Sequence, residues 1–286
     1  MAQSKISVET MMEAGMHFGH QTHRRNPKMD PYIFDVRSGI HIIDLTKTEP
    51  LLKSAMEFLK ETVKGGRQVI IVGTKRQASA LVKAQAEACG MPYVGERWLG
   101  GLLTNFETIK KRLKYLNELE IKLAQPDLGE MTKKEKVMLD RQLKALLTSL
   151  GGVKHLQGLP GAIFVVDPIK DKIAVKEASK LGIPVVALVD TNANPDTVDY
   201  PIPSNDDAKK AIEFVLELVA EACATKSVVK IQDTKAGQPY SADASKGLRQ
   251  VSPSENSGQS GLVEKPEEGT VAVGDEIIEP LDTKEE

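Results

Sequence analysis

Little in this 286-residue chain points to a catalytic or membrane protein. It has two cysteines, Cys89 and Cys223, both inside helix-like patterns, which excludes a disulfide framework and suits a reducing compartment. Aromatic residues make up only 4%, so the 41% hydrophobic content implies a core of Val, Ile, Leu and Ala. No apolar run approaches the ~20 residues that span a bilayer, and MAQSKISVETMMEAG lacks the pattern of a signal peptide. These absences predict a cytoplasmic protein with no membrane partner. Nor is there strong charge of either sign. With 38 Lys/Arg against 40 Asp/Glu the net is −2, so composition alone does not select a polyanion partner.

The charge is unevenly distributed. Residues 226–286 hold 7 Lys/Arg and 12 Asp/Glu; the rest of the chain holds 31 and 28, a net of +3. From residue 227 onward the sequence is rich in Ser, Gly, Pro and charge and poor in bulky apolar residues, which predicts a disordered tail, acidic at its end, over 227–286. Any binding surface must then lie where cations cluster in the body.

Three short, continuous, β-branched runs read as strands covered on both faces: QVIIVG (68–73), AIFVVD (162–167) and IPVVALVD (183–190). Helix patterns alternate with them at 48–66, 76–90, 169–182 and 204–224. Thr48 is the expected N-cap of the first, and Ser204 with Asp207 has capping-box-like spacing at the last. YIFDVRSGIHIID (32–44) reads as strand–turn–strand. The alternation predicts an α/β domain with a doubly wound parallel sheet.

Residues 104–150 interrupt it. Ile109, Leu113, Leu116, Leu119 and Leu123 run at helical spacing, PDLG (126–129) marks a turn, and Leu139, Leu143, Leu146 and Leu150 continue the pattern. This predicts an inserted antiparallel coiled-coil hairpin between core segments 1–103 and 151–226, with lysines and arginines on its outer surface.

Candidate chemistry is sparse. MHFGHQTHRRNPKM (16–29) spaces His17, His20 and His23 three apart, a conceivable zinc triplet, but His41 and His155 and both cysteines lack ligand-like spacing. The favoured reading is a turn in an exposed arm, with Arg24, Arg25, Asn26 and Lys28 as polyanion-facing groups. GTKR (73–76) follows a strand and precedes a helix, where α/β folds hold phosphate. It lacks both the Walker A and the three-glycine patterns, so a backbone anion nest and a plain turn exposing Lys75 and Arg76 both stay open. Asp167 and Asp190 end strands, either as a metal-binding pair or as caps. Trp98, beside Arg97, is either core packing or a stacking platform.

Taken in order, MMEAGMHFGHQT, NPKM, GIHIIDL, VGTKR, RWLGGLLTNF, LPGAIFVVDP, LGIPVVALVDTN and NDDA resemble the bacterial small-subunit ribosomal protein of the S-two family over nearly all of residues 8–225. The resemblance implies a flavodoxin-like three-layer α/β/α fold with a protruding hairpin, no catalysis, no cofactor and no small-molecule substrate. It also implies binding to small-subunit ribosomal RNA and to neighbouring ribosomal proteins on the solvent side near the head–body junction, and help in docking the mRNA-binding S-one family protein. The expected RNA-facing residues are Arg24, Arg25, Asn26, Lys28, Lys75, Arg76, Arg97, Trp98, Lys110, Lys111, Arg112 and Lys114. Family members often carry a basic residue at the position of His23 and an aromatic at that of Arg25, so no stacking role transfers there. The alternative from the residues alone is a flavodoxin-like nucleotide- or phosphate-binding enzyme.

Overall fold

The computed structural model describes residues 6–124, 133–156 and 158–224. All of them belong to one compact unit. The expected turn at 126–129 and the expected tail lie outside the described residues.

The centre is a five-stranded parallel sheet: β4 (Val69–Val72), β5 (Tyr93–Val94), β6 (Ala162–Val165), β7 (Val185–Val189) and β8 (Tyr200–Pro203), in the order β5-β4-β6-β7-β8. Every residue of β4, β6 and β7 is buried, as their unbroken apolar sequences require. Alternation divides them between two cores. Val69, Ile71, Phe164, Val186 and Leu188 face α2 (Leu45–Lys64), α3 (Ser79–Cys89) and α7 (Lys209–Cys223). Ile70, Val72, Ile163, Val165, Ala187 and Val189 face α6 (Lys172–Lys180) and the base of a helical hairpin. The result is a three-layer α/β/α fold of flavodoxin-like strand order.

Two strands of this sheet were not anticipated. β5 has only two residues. β8 is YPIP, whose prolines mask it; it is tolerated because β8 is an edge strand and needs donors on one side only.

The hairpin pairs α4 (Phe106–Ala124) with α5 (Lys133–Leu150). Ile109, Leu113, Leu116 and Leu150 are buried in the second core, with Leu143 and Leu146 packed against it. The hairpin seam and the sheet core are therefore continuous. At the re-entry a Cβ on Gly152 would lie 2.3 Å from the Tyr93 carbonyl oxygen, so only glycine fits there.

Two expected caps move. Asp44, not Thr48, caps α2 by accepting from the Thr46 N–H at 3.1 Å; Thr48 is buried and donates to the Pro203 carbonyl at 2.8 Å, tying α2 to β8. Before α7, Asn205 rather than a Ser204–Asp207 box accepts from the N–H groups of Asp207 (2.9 Å) and Ala208 (3.0 Å). An Asn side chain reaches two residues on as readily as Ser.

The histidine stretch is not wholly an arm. Phe18–Gln21 forms β1, in a small antiparallel sheet with β3 (Ile40–Ile43) and β2 (Ile33–Arg37), in the order β1-β3-β2. α1 (Val8–Glu13), with a Ser7/Thr10 capping box, precedes it. No helix among the described residues is long and apolar enough to cross a membrane.

Candidate functional site

The carboxyl edge of the parallel sheet is where this fold class places ligands, and here it gathers charge. Lys75 follows β4, Asp167 follows β6, Asp190 follows β7, and Asp206 and Asp207 follow β8. The Lys75 ammonium is 2.8 Å from Asp206 Oδ1, 2.7 Å from Asp207 Oδ1 and 3.4 Å from Asp167 Oδ2. Burial works against its charge, but these carboxylates raise its pKa well above the usual lysine value. Burial first, then the Asp190 and Asp167 charges, push the Asp206 carboxyl up to about 7 despite Lys75.

β1 closes this edge. A Cβ on Gly19 would stand 2.6 Å from the Thr191 methyl, so the bare backbone is what lets β1 approach. The His20 N–H donates to Thr191 Oγ1 at 2.9 Å. The His20 ring sets Nδ1 3.0 Å from Asp190 Oδ2 and Nε2 3.4 Å from Asp207 Oδ2. The hydrogen bond to Asp190 raises its pKa, against burial, with help from Asp206 and Asp207.

This geometry answers the phosphate question. The Thr74 N–H and hydroxyl donate to Asp171 at 3.2 and 2.8 Å, and Lys75 is held by three aspartates. The donors that would cradle an anion hold the protein's own carboxylates, in a pocket whose excess negative charge repels phosphate. GTKR is a strand-to-helix turn, and Lys75 points inward rather than presenting its charge to a partner. Asp167 acts as a cap, its Oδ1 accepting from Ile169 (2.8 Å) and Lys170 (3.0 Å).

A second buried acid organises the hairpin root. Glu177 of α6 is 8% exposed. Its Oε1 accepts from Trp98 Nε1 (3.2 Å) and the Gly101 N–H (2.7 Å), and its Oε2 from the Leu103 and Thr104 N–H groups and the Thr104 hydroxyl (3.0–3.1 Å). Burial opposes ionisation, but the donors at Gly101, Thr104, Leu103 and Trp98 prevail and hold the carboxyl below the usual glutamate range. Trp98, 5% exposed, is thus a core residue and not a stacking platform. Nothing in KEAS (176–179) distinguishes this glutamate from a solvated one; only the burial of its position on α6 would.

The other predicted residues separate into three sets. Arg76, Arg97, Arg24, Lys110, Lys111 and Arg112 are exposed and have no ion-pair partner among the described residues. Arg25, Lys28 and Lys114 are exposed but face Asp30 (3.3 Å), Asp196 and Glu118 (3.8 Å). Asn26 caps the 3-10 turn Pro27–Tyr32 through the Lys28 N–H. The three histidines do not converge: His17 rests on the Phe18 ring and His23 is exposed in a 3-10 turn, while His20 alone reaches the acids. A cleft of about 450 Å³ at the hairpin root is lined by Lys110, Lys111, Lys114 and Lys154 with Glu107 and Asn117.

Fold and site together define a three-layer α/β scaffold with ion pairs along its sheet edge and exposed cations on an inserted helical hairpin. A family model described as ribosomal protein S2 matches residues 11–226. The chain is 52% identical over 221 residues to the small ribosomal subunit protein uS2 of Roseiflexus sp. (strain RS-1), covering 77% of this chain and 84% of that one. It is 47% identical over 244 residues to the uS2 of Geotalea uraniireducens (strain Rf4), covering 84% and 95%. It is 50% identical over 219 residues to the uS2 of Syntrophobacter fumaroxidans, covering 77% and 80%. The chain belongs to the ribosomal protein S2 family, and is a structural protein of the ribosome rather than an enzyme.

Proposed function

We propose that this chain is a structural constituent of the small ribosomal subunit that binds ribosomal RNA through cations its own fold leaves uncompensated. The observation that carries this reading is the cleft at the hairpin root. Lys110, Lys111 and Arg112 lie in three consecutive positions of α4 without a carboxylate partner among the described residues; Lys110 and Lys111 line the cleft, which Lys114 and Lys154, paired with Glu118 and Glu120, also border. A lysine-lined concavity on a rigid helix tracks a phosphate backbone, and each contact releases counterions. Arg24, Arg76 and Arg97 extend the surface; Arg25 and Lys28 join it once RNA competes with their aspartates. Lys75, Asn26 and Trp98 act indirectly, by fixing the frame.

Family resemblance supports a place on the solvent side near the head–body junction, contacts with neighbouring ribosomal proteins, and a part in docking the S-one family protein. The enzyme reading has no support from the sheet edge, where the anion-binding donors are occupied.

The test is reconstitution of small subunits with a chain bearing Lys110→Glu, Lys111→Glu and Arg112→Glu, read by sedimentation. Occupancy is expected to fall steeply and to fall further with salt. Wild-type occupancy at moderate salt would sink the reading.

A further inference from the structure

Both ring nitrogens of His41 are buried without a hydrogen-bond partner among the described residues. His41 lies in β3, the central strand of the small sheet, and is 4% exposed. A neutral imidazole carries one N–H donor and one acceptor. Burying both unpaired costs stability, and the cost is recovered only when a partner arrives. The ring also borders open space. It lines a pocket of about 380 Å³ with Arg25, Asp30, Ile33, Asp35 and Val36. Val36 is its strand partner on β2, and Asp30 sits in the turn Pro27–Tyr32. Arg25 Nε contacts Asp30 Oδ1 at 3.3 Å, with both side chains nearly half exposed. Such an exposed pair is easily displaced, which gives a ligand a route to the imidazole.

We propose that this pocket takes one unpaired guanine base of RNA. Charge disfavours a phosphate there, because one guanidinium faces two carboxylates. Ile33 and Val36 supply apolar surface for a planar ring. Guanine sets two adjacent acceptors, O6 and N7, beside two adjacent donor groups, N1–H and N2–H2. A carboxylate of Asp30 or Asp35 accepts from N1–H and N2–H2, while the Arg25 guanidinium and one His41 nitrogen donate to O6 and N7. The second His41 nitrogen pairs with a water carried in with the base. Adenine, cytosine and uracil each offer a single donor group on these edges, so they leave a carboxylate oxygen unmatched. Unpaired RNA bases are read on these same edges. Arg24, exposed and next in sequence to Arg25, is available to a flanking phosphate. The inference rests on the RNA-binding reading, and adds base selection to contacts that otherwise only position the backbone.

Small subunits are reconstituted with the full-length chain, and their ribosomal RNA is probed with kethoxal, which modifies N1 and N2 of unpaired guanines. One guanine is expected to be protected by the wild-type chain. Its reactivity should rise about tenfold with His41→Leu, and again with Asp30→Asn combined with Asp35→Asn. His41→Leu removes an unpaired buried polar group, so its unfolding midpoint should equal or exceed that of the wild type, which a purely structural histidine would not allow. If that variant fails to fold, the double variant at the exposed Asp30 and Asp35 decides the matter. Incorporation with no guanine protected, or protection unchanged in the variants, would overturn the pocket and leave the RNA-binding reading standing. So would dimethyl sulfate protection of an adenine or cytosine that the variants remove. Failure of the wild-type chain to enter subunits would overturn both.

Discussion

Lys75 and Lys110 are the same residue type in the same chain, and their surroundings give them different work. At the sheet edge Lys75 meets three carboxylates within 3.4 Å and is 15% exposed. On α4 the Lys110, Lys111 and Arg112 side chains stand in solvent with no acid paired to them among the described residues. The first region is closed electrostatically and holds the fold together. The second is left open and costs the fold little, which is the arrangement a polyanion partner requires. The role of a cation is therefore set by how many of its counter-charges the fold supplies, and the contrast can be broken from either side.

The largest effect is expected in the closed region. Glu177→Ala removes the acceptor for Trp98 Nε1 and three backbone N–H groups. Leaving buried donors unpaired is expected to cost about 3–5 kcal/mol, read as a fall in the urea midpoint together with lost hydrogen-exchange protection over residues 101–104. The same group sets a pH dependence. Its folded-state pKa lies below the ordinary value of 4.5. Its contribution is fully present above 4.5 and is lost as pH falls through the lowered folded value. Chemical denaturation between pH 6 and pH 3 should show stability falling with acid in the wild type and a flatter curve in Glu177→Gln. An unchanged slope in the variant would contradict the assignment.

Next comes Lys75→Met. It leaves Asp206 and Asp167 buried against each other without their shared counter-charge, and is expected to cost about 2–3 kcal/mol. Arg76→Met, one residue on but exposed, should stay within about 0.5 kcal/mol. Equal losses at the two positions would erase the distinction between the inward and outward cations of this turn.

On the open side the effect moves from stability to binding. The α4 triple reversal at Lys110, Lys111 and Arg112 should leave the unfolding midpoint nearly unchanged while lowering RNA affinity. Removing three phosphate contacts reduces the salt slope of log K by about 2–3. Filter binding to small-subunit ribosomal RNA across a salt series measures both. Affinity lost with no change in slope would mean the helix was distorted, not discharged.

Much of this architecture was legible in the sequence, and the part that was not has a common cause. β4, β6 and β7 announce themselves because a strand buried on both faces has to be continuously apolar. The hairpin seam does so because Ile109, Leu113 and Leu116 repeat at helical spacing. β8 was hidden by its two prolines, and β1 by histidine and glycine in a four-residue strand. At the site, the types and positions of the charged residues were visible, but their direction was not. Whether Lys75 points in or out depends on Asp206, 131 residues away. Glu177 looks like any helix glutamate until the loop carrying Trp98 folds over it. Periodicity reports one element's own burial; pairing across elements leaves no trace in local spacing.

The smallest expected effect lies between the two regions. Lys28 is exposed, yet it reaches Asp196, which follows Asn194 in the loop between β7 and β8. An exposed pair of this kind is worth about 0–1 kcal/mol, because water screens the attraction and both side chains lose freedom. Lys28→Ala should thus barely move the unfolding midpoint. If RNA replaces Asp196 as its partner, the same substitution weakens RNA binding less than Arg24→Ala does, because Lys28 has to give up an existing contact and Arg24 has no ion pair to give up among the described residues. Asp196→Ala then strengthens binding, since it removes the competitor, and should do so most at low salt. A double-mutant cycle over Lys28 and Asp196, read by RNA affinity at two salt concentrations, measures that coupling; its absence would mean that Lys28 and RNA do not meet.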